Sequence, residues 1–170
     1  MNQKIICYDE DLGIEAYSFT GVSQNFPNHF HDYYVVGLIE EGFRKMVVNN
    51  QAYTLEPGDL LTFNPYDNHS CEGIDDSRLT YHCINLKKEI FQPFTGTELP
   101  KFLSPMQSQT ALAEDFNRLH QLIMNEGDKS EKETLFILLI EELLQNYAQD
   151  KQNQMLPAPK PIAVICEYLE

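Results

Sequence analysis

Basic residues are scarce in this chain of 170 residues: 12 Lys and Arg stand against 26 Asp and Glu, a formal charge of −14. Gripping a phosphate backbone takes clustered Lys and Arg, so these residues are not expected to hold nucleic acid, and an anionic membrane surface would repel them. Long apolar runs are missing as well. None approaches the roughly 20 residues that span a bilayer, and "MNQKIICYDEDLG" lacks the apolar stretch of a secretory signal. Cys7, Cys71, Cys83 and Cys166 lie far apart without a C-x-x-C pair. With no signal, they read as reduced thiols of a cytoplasmic protein, packed as small hydrophobes. There is no G-x-S-x-G, no glycine-rich phosphate loop and no H-E-x-x-H, so no nucleophilic constellation stands out. His120 sits alone on a helical stretch and is expected to face solvent.

What is present is enough for a core: 42% of residues are hydrophobic and 11% aromatic, in a length that suits one domain with an appendage. From about residue 3 to 86 short words rich in Val, Ile, Tyr, Phe and Thr alternate with turn residues: "KIICY", "EAYSFT", "HDYYVVGLI", "FRKMVVN", "QAYTL", "DLLTFN", "HSCEGI" and "RLTYHCINL". Pro57-Gly58 suits the centre of a type II turn, where glycine takes φ > 0. Spacing this tight leaves no room for βαβ crossovers and predicts an antiparallel sandwich or barrel.

The period changes after residue 108. Leu112, Phe116, Leu119 and Ile123 form one stripe of a helix over about 109–126, with Gly127 as its C-terminal cap. A second helix, about 130–149, opens on Ser130 and Glu133, the spacing of a capping box, and the short connection makes an antiparallel hairpin. Its "LFILLI" run is apolar all round. Phe136, Leu139, Ile140, Leu143 and Tyr147 supply one buried face, and Leu135, Leu138 and Leu144 are expected to meet a second copy of the chain. Residues 150–160, polar and then proline-rich, read as a linker. "PIAVICEYLE", 161–170, starts a new amphipathic helix and reads as the truncated opening of a further domain.

"FPNHFHDYYVVGLIEEG", residues 26–42, sets His29 and His31 two apart, and on one strand both imidazoles would point to the same side. The stretch from here through "EEG", "LEPGDLLTFNPYDNH" and "YHCINL" resembles a cupin, specifically the effector-binding domain of AraC-type transcriptional regulators. The resemblance extends over nearly the whole chain. It implies a mainly β protein with C-terminal helices: a cupin-like double-stranded β-helix (jelly roll) and an antiparallel helical hairpin within residues 1–149. It also implies a small-molecule effector in the barrel, a homodimer through the hairpin, and DNA contacted only through a C-terminal helix-turn-helix domain that 161–170 would begin. No enzymatic activity and no cofactor are implied.

Metal-binding cupins are similar in supplying two His from H-x-H, a nearby Glu and a later His. His29, His31 and His69 match three of these, but Val35 and Val36 stand where the Glu would be, so no metal is expected. The imidazoles would instead fix loops at the barrel mouth or touch the effector directly. The rival reading is a small cupin metalloenzyme, an isomerase or dioxygenase, built on the same three histidines. Alternation on "RLTYHCINL" sets Thr80, His82 and Ile84 on one face and Tyr81, Cys83 and Asn85 on the other. By resemblance to sugar-responsive members the first set faces the pocket, with Cys71 on a neighbouring strand and Glu40 near the end of another. Residues 1–20 are expected to precede the barrel and fold over its mouth.

Overall fold

The turn at Asn49-Asn50, both at positive φ (49° and 68°), joins β5 (Arg44–Val48) to β6 (Gln51–Leu55). Two left-handed residues give the twist a tight hairpin needs, and asparagine tolerates them better than most side chains. Among the described residues it is the one strand connection between Val22 and Leu79 that stays within a sheet. The computed structural model describes residues 3–148 apart from 75 and 109; the expected linker and final helix, 150–170, lie outside the described residues. The remaining strands are β1 (Gln3–Asp9), β2 (Ile14–Val22), β3 (Phe26–His29) and β4 (Tyr34–Glu41). After the hairpin come β7 (Leu60–Phe63), β8 (His69–Gly73), β9 (Leu79–Leu86) and β10 (Met106–Gln107).

One sheet runs β1-β2-β9-β4-β7-β10 and the other β3-β8-β5-β6, antiparallel throughout. Without the outer β1 and β10, two four-stranded sheets face each other and every other connection crosses between them, the order of a jelly roll. The turn before β7 forms as its residues dictate. Gly58 sits at φ 94°, Asp59 N–H donates to the Glu56 carbonyl at 3.1 Å, and the Asp59 carboxylate accepts from Glu56 N–H at 2.8 Å.

Three local expectations are corrected. "HDYYVVGLI" is strand only from Tyr34, where β4 begins, and the two histidines do not share a strand: His29 ends β3 and His31 lies in the connection. Residues 3–20 are not a flap, because β1 pairs along its whole length with β2, which pairs with β9. The first long helix of the hairpin ends one residue earlier in its capping logic than Gly127 suggested. Glu126 takes the left-handed position (φ 53°) and Gly127 N–H reaches back to the Leu122 carbonyl at 2.7 Å, a Schellman arrangement. A Cβ on Gly127 would lie 2.6 Å from the Leu122 side chain, which explains a glycine there.

The helices are α1 (Gln92–Thr95), α2 (Leu112–Met124) and α3 (Lys129–Tyr147). Asp128, not Ser130, caps α3, accepting from Glu131 N–H at 2.9 Å. The hairpin α2–α3 covers the outer face of the six-stranded sheet, and so the central strands are buried on both sides. Tyr34, Val36, Leu38, Ile84 and Leu86 join Phe116, Leu119, Phe136, Leu139 and Leu143 in one core. Val35, Ile39, Leu61, Phe63, Leu79 and Cys83 face the opposite way, into the barrel. At about 1.5–3 kcal/mol for each large side chain buried, these two layers supply most of the drive to fold. They also absorb most of the "LFILLI" run. Leu135 is only 7% exposed and belongs to this chain's own core, which corrects its assignment to a partner contact. Leu144 is half-buried against the same core, and Leu138 alone of the three is open, at 50%.

Candidate functional site

Between the two sheets lies a cavity of about 540 Å³, its mouth included. The pleat of β4, β5 and β7 aims Val35, Ile39, Met46, Leu61 and Phe63 into it, joined by Phe26, Leu55, Leu79, Cys71 and Tyr81. His29, His31 and His69 complete the lining at one end. The sheet register explains the convergence: His29 is opposite His69 across β3–β8, and His69 is opposite Val48 across β8–β5. Although His31 has left the strand, its ring centroid is 4.9 Å from that of His29 and 5.2 Å from that of His69. It stacks on Tyr33 at 4.8 Å, and His69 stacks on Phe63 at 4.1 Å.

Backbone carbonyls set the ring orientations. Nδ1–H of His29 donates to the Pro27 carbonyl at 2.7 Å, and Nδ1–H of His69 donates to the Asp67 carbonyl at 2.8 Å. Burial pushes the His69 imidazole down to about 4, with His29 and His31 adding to the shift and the Asp67 hydrogen bond opposing it. Burial, then the nearby His29, lowers His31 too. The Cys71 and Cys83 thiols are driven the other way by burial, to about 11 and about 12, and stay protonated and unreactive.

One ring nitrogen from each histidine falls within 4.8 Å of the others, making His29, His31 and His69 a group that could hold a metal ion. The donor chemistry fits a d-block dication: three imidazole nitrogens, two of the rings steadied through Nδ1 as metal-bound histidines usually are. Such an ion would bring Lewis acidity and an open position facing the cavity. No carboxylate lines the cavity among the described residues, and Val35 occupies the wall.

Glu40, His82 and Ile84 are corrected: they lie on the other face of the sheet, toward the helices. Ile84 is in the core under α2 and α3. His82 stacks face to face on His120 of α2, centroids 4.3 Å apart and planes 7° apart. Glu40 Oε1 is 3.4 Å from His82 Nδ1, without hydrogen-bond alignment. Thr80 donates to the Glu41 carboxylate at 3.0 Å. His120, expected in solvent, is 1% exposed, and its Nε2–H donates to the Tyr17 carbonyl at 2.9 Å. Burial, then His82, pushes its pKa to about 4. Of the two alternating sets on β9 it is Tyr81 and Cys83 that face the barrel. The period of two separates the sets correctly but does not say which is inside when both faces are apolar.

A jelly roll enclosing an apolar cavity with a few converging polar groups is a small-molecule-binding module. The chain belongs to the AraC-like ligand binding domain family, which residues 11–147 match. It is 44% identical over 168 residues to YbfI, an HTH-type transcriptional regulator of Bacillus subtilis (strain 168), a match covering 95% of this chain and 61% of that one. A shorter match, 40% identical over 55 residues, is to the HTH-type transcriptional activator RhaS of Yersinia pestis (strain Pestoides F), covering 32% of this chain and 20% of that one. The chain thus spans about three fifths of the length of YbfI. Among solved structures it is similar to a cupin protein from Bacteroides fragilis (TM-score 0.45, 20% identity, 51% of this chain and 78% of that one). Another is a cupin with a double-stranded β-helix fold from Methanocaldococcus jannaschii (TM-score 0.42, 13% identity, 51% and 83%).

Proposed function

We propose that this chain is the effector-sensing and dimerisation part of a cytoplasmic transcriptional regulator. It binds a small molecule in the barrel and acts on a DNA-binding domain carried elsewhere in a longer protein. The cavity carries this reading: in a ligand-binding family, it is the feature with apolar walls and a polar end. The two HTH-type relatives support the connection to transcription. A net charge of −14 suits a sensor that leaves DNA to another domain. The effector can alter DNA binding only by its different affinity for two arrangements of the whole protein. No chemistry is assigned to the domain, because its family is a ligand-binding one and the relatives it matches are named as transcriptional regulators. No described helix is long and apolar enough to cross a membrane.

The converging imidazoles favour one second reading, a metal centre and with it a metalloenzyme. One thermal-unfolding experiment separates the two: chelator-treated protein is screened against a small-molecule library, with and without added Zn²⁺. Effector binding without metal raises Tm as RT ln(1 + [L]/Kd) requires. Cys71→Phe, which fills the cavity, abolishes the shift, and Glu40→Gln on the far face leaves it. A shift that appears only with Zn²⁺, with about one ion per chain lost on replacing His31 and His69, would install the metal reading instead.

For dimerisation the support is Leu138, half exposed on α3 where most of its apolar neighbours are covered. Two copies related by a two-fold axis would bring that face to itself. Light scattering at micromolar concentration is expected to give a dimer for the wild type and a monomer for Leu138→Glu, with the fold unchanged because the side chain is open in the single chain. A monomeric wild type, or a variant that dimerises as before, would place the contact elsewhere or nowhere.

A further inference from the structure

The polar end of the cavity has a definite hydrogen-bonding sense. The Nδ1 protons of His29 and His69 are committed to the Pro27 and Asp67 carbonyls, at 2.7 and 2.8 Å. A neutral imidazole that donates from Nδ1 carries a bare lone pair on Nε2, and Nε2 is the ring nitrogen left for a ligand. Tyr81, also in the lining, donates its hydroxyl proton to Cys83 Sγ at 3.2 Å and so offers the cavity no donor. Acceptors therefore predominate at this end, where the donors that remain are the single ring N–H of His31 and the weak S–H of Cys71.

Charge is missing too: no Lys, Arg, Asp or Glu lines the cavity among the described residues. The nearest argument for an anion site is Arg44, fully buried on β5. Its two terminal nitrogens donate to the Val22 and Gln24 carbonyls, its Nε has no partner, and it lies outside the lining. The walls at Val35, Ile39, Met46, Leu61 and Leu79 offer nothing to a hydroxyl in mid-ligand, which would lose its water without gaining a partner.

Resting on the reading of this cavity as the effector site, we propose that it takes an uncharged, mainly apolar molecule with one terminal hydrogen-bond donor. A phenolic or alcoholic hydroxyl, or a neutral N–H, would be given to the histidine Nε2 atoms. Sugars and carboxylates are then excluded for different reasons: the first bring too many polar groups for the walls, the second bring a full charge to a lining with no cation to pair it.

The test is calorimetric titration of the 170-residue chain with four probes: 4-propylphenol, its methyl ether 4-propylanisole, 4-propylbenzoate and glucose. The phenol is expected to bind about tenfold or more tightly than the ether or the benzoate, and glucose not at all. His69→Phe keeps the stack on Phe63 and is expected to erase the preference for phenol over ether while leaving ether affinity nearly unchanged. His29→Phe is expected to reduce it, and serves should the first variant fail to fold. Ether binding as tightly as phenol overturns the proposal, as does preference for glucose or benzoate. Benzoate binding lost in Arg44→Met would hand the role to the guanidinium and leave the effector reading standing. Failure of all four probes overturns the donor-ended class. If a metabolite extract also fails to shift Tm, the effector reading falls with it.

Discussion

Lys132→Ala is expected to lower the unfolding free energy by about 3–5 kcal/mol, the range for removing one partner of a buried ion pair. Lys132 is 4% exposed near the start of α3, and its Nζ lies 2.6 Å from Asp9 Oδ2 and 2.6 Å from Asp11 Oδ2. Asp9, also 4% exposed, ends β1 and accepts a second hydrogen bond from Leu12 N–H at 2.9 Å. Burial alone would depress the Lys132 ammonium, but hydrogen bonds to Asp11 and Asp9 outweigh it and raise its pKa. Deleting the ammonium leaves the Asp9 carboxylate out of water with one weak partner. Asp11 is more open and adds little. The cost therefore comes from the stranded charge rather than from the pair's attraction, and Lys132→Met with Asp9→Leu should recover much of it. Urea unfolding measures both. A loss below about 1 kcal/mol, the value of an exposed pair, would show that water reaches Asp9. Among the described residues, only this bridge ties α3 to the β1–β2 turn by charge buried at both ends.

Acid is expected to weaken the domain well before its carboxylates titrate. His69 and His120 are each held at about 4 in the folded chain against 6.5 for the free side chain. Both values are depressed, so between these limits the unfolded chain binds protons that the native chain refuses. The histidines' contribution is complete above about pH 6.5, falls as pH drops toward 4, and levels off below. Each histidine accounts for at most roughly 3 kcal/mol across that window. The lowered His31 acts in the same direction. Urea unfolding from pH 7.5 to 4.5 should show the slope, and His120→Phe, which can keep the ring contact with His82, should make it shallower. A flat profile would mean that the native state protonates these rings freely, against their burial at 6% and 1% exposure.

The two histidines lie on opposite sides of the six-stranded sheet, His69 of β8 against Phe63 on its inner face and His120 of α2 on its outer one, and the difference shows how far sequence reasoning reaches. An antiparallel sandwich or barrel was legible because its signals are local, while the jelly-roll order came from the family resemblance. Pro57-Gly58 makes its turn with one glycine conformation, and strand words bounded by turns pair in the order that their short connections allow. The α2 stripe at Leu112, Phe116, Leu119 and Ile123 is buried as its period requires. His29, His31, His69 and Cys71 were each named from the sequence, and the structure brings them to one cavity. Tyr81 was the strongest omission. Its signal was present as the alternate set on β9, and the choice between sets was made by resemblance rather than by periodicity.

The sequence by itself determined the alternation on β9, the helical hairpin and the identity of the histidines, since each depends on residues a few positions apart. Only the tertiary structure decided which face was which. Helices α2 and α3 cover the outer face of the sheet with apolar side chains while the barrel buries the inner one. Both faces of β4 and β9 therefore read as interior, and a period of two carries no sign. The same layering drew His120 out of solvent onto His82 and took Leu135 into the chain's own core. It also let His31, outside any strand, close the triad with His29 and His69, a proximity set by sheet register across about forty residues of chain.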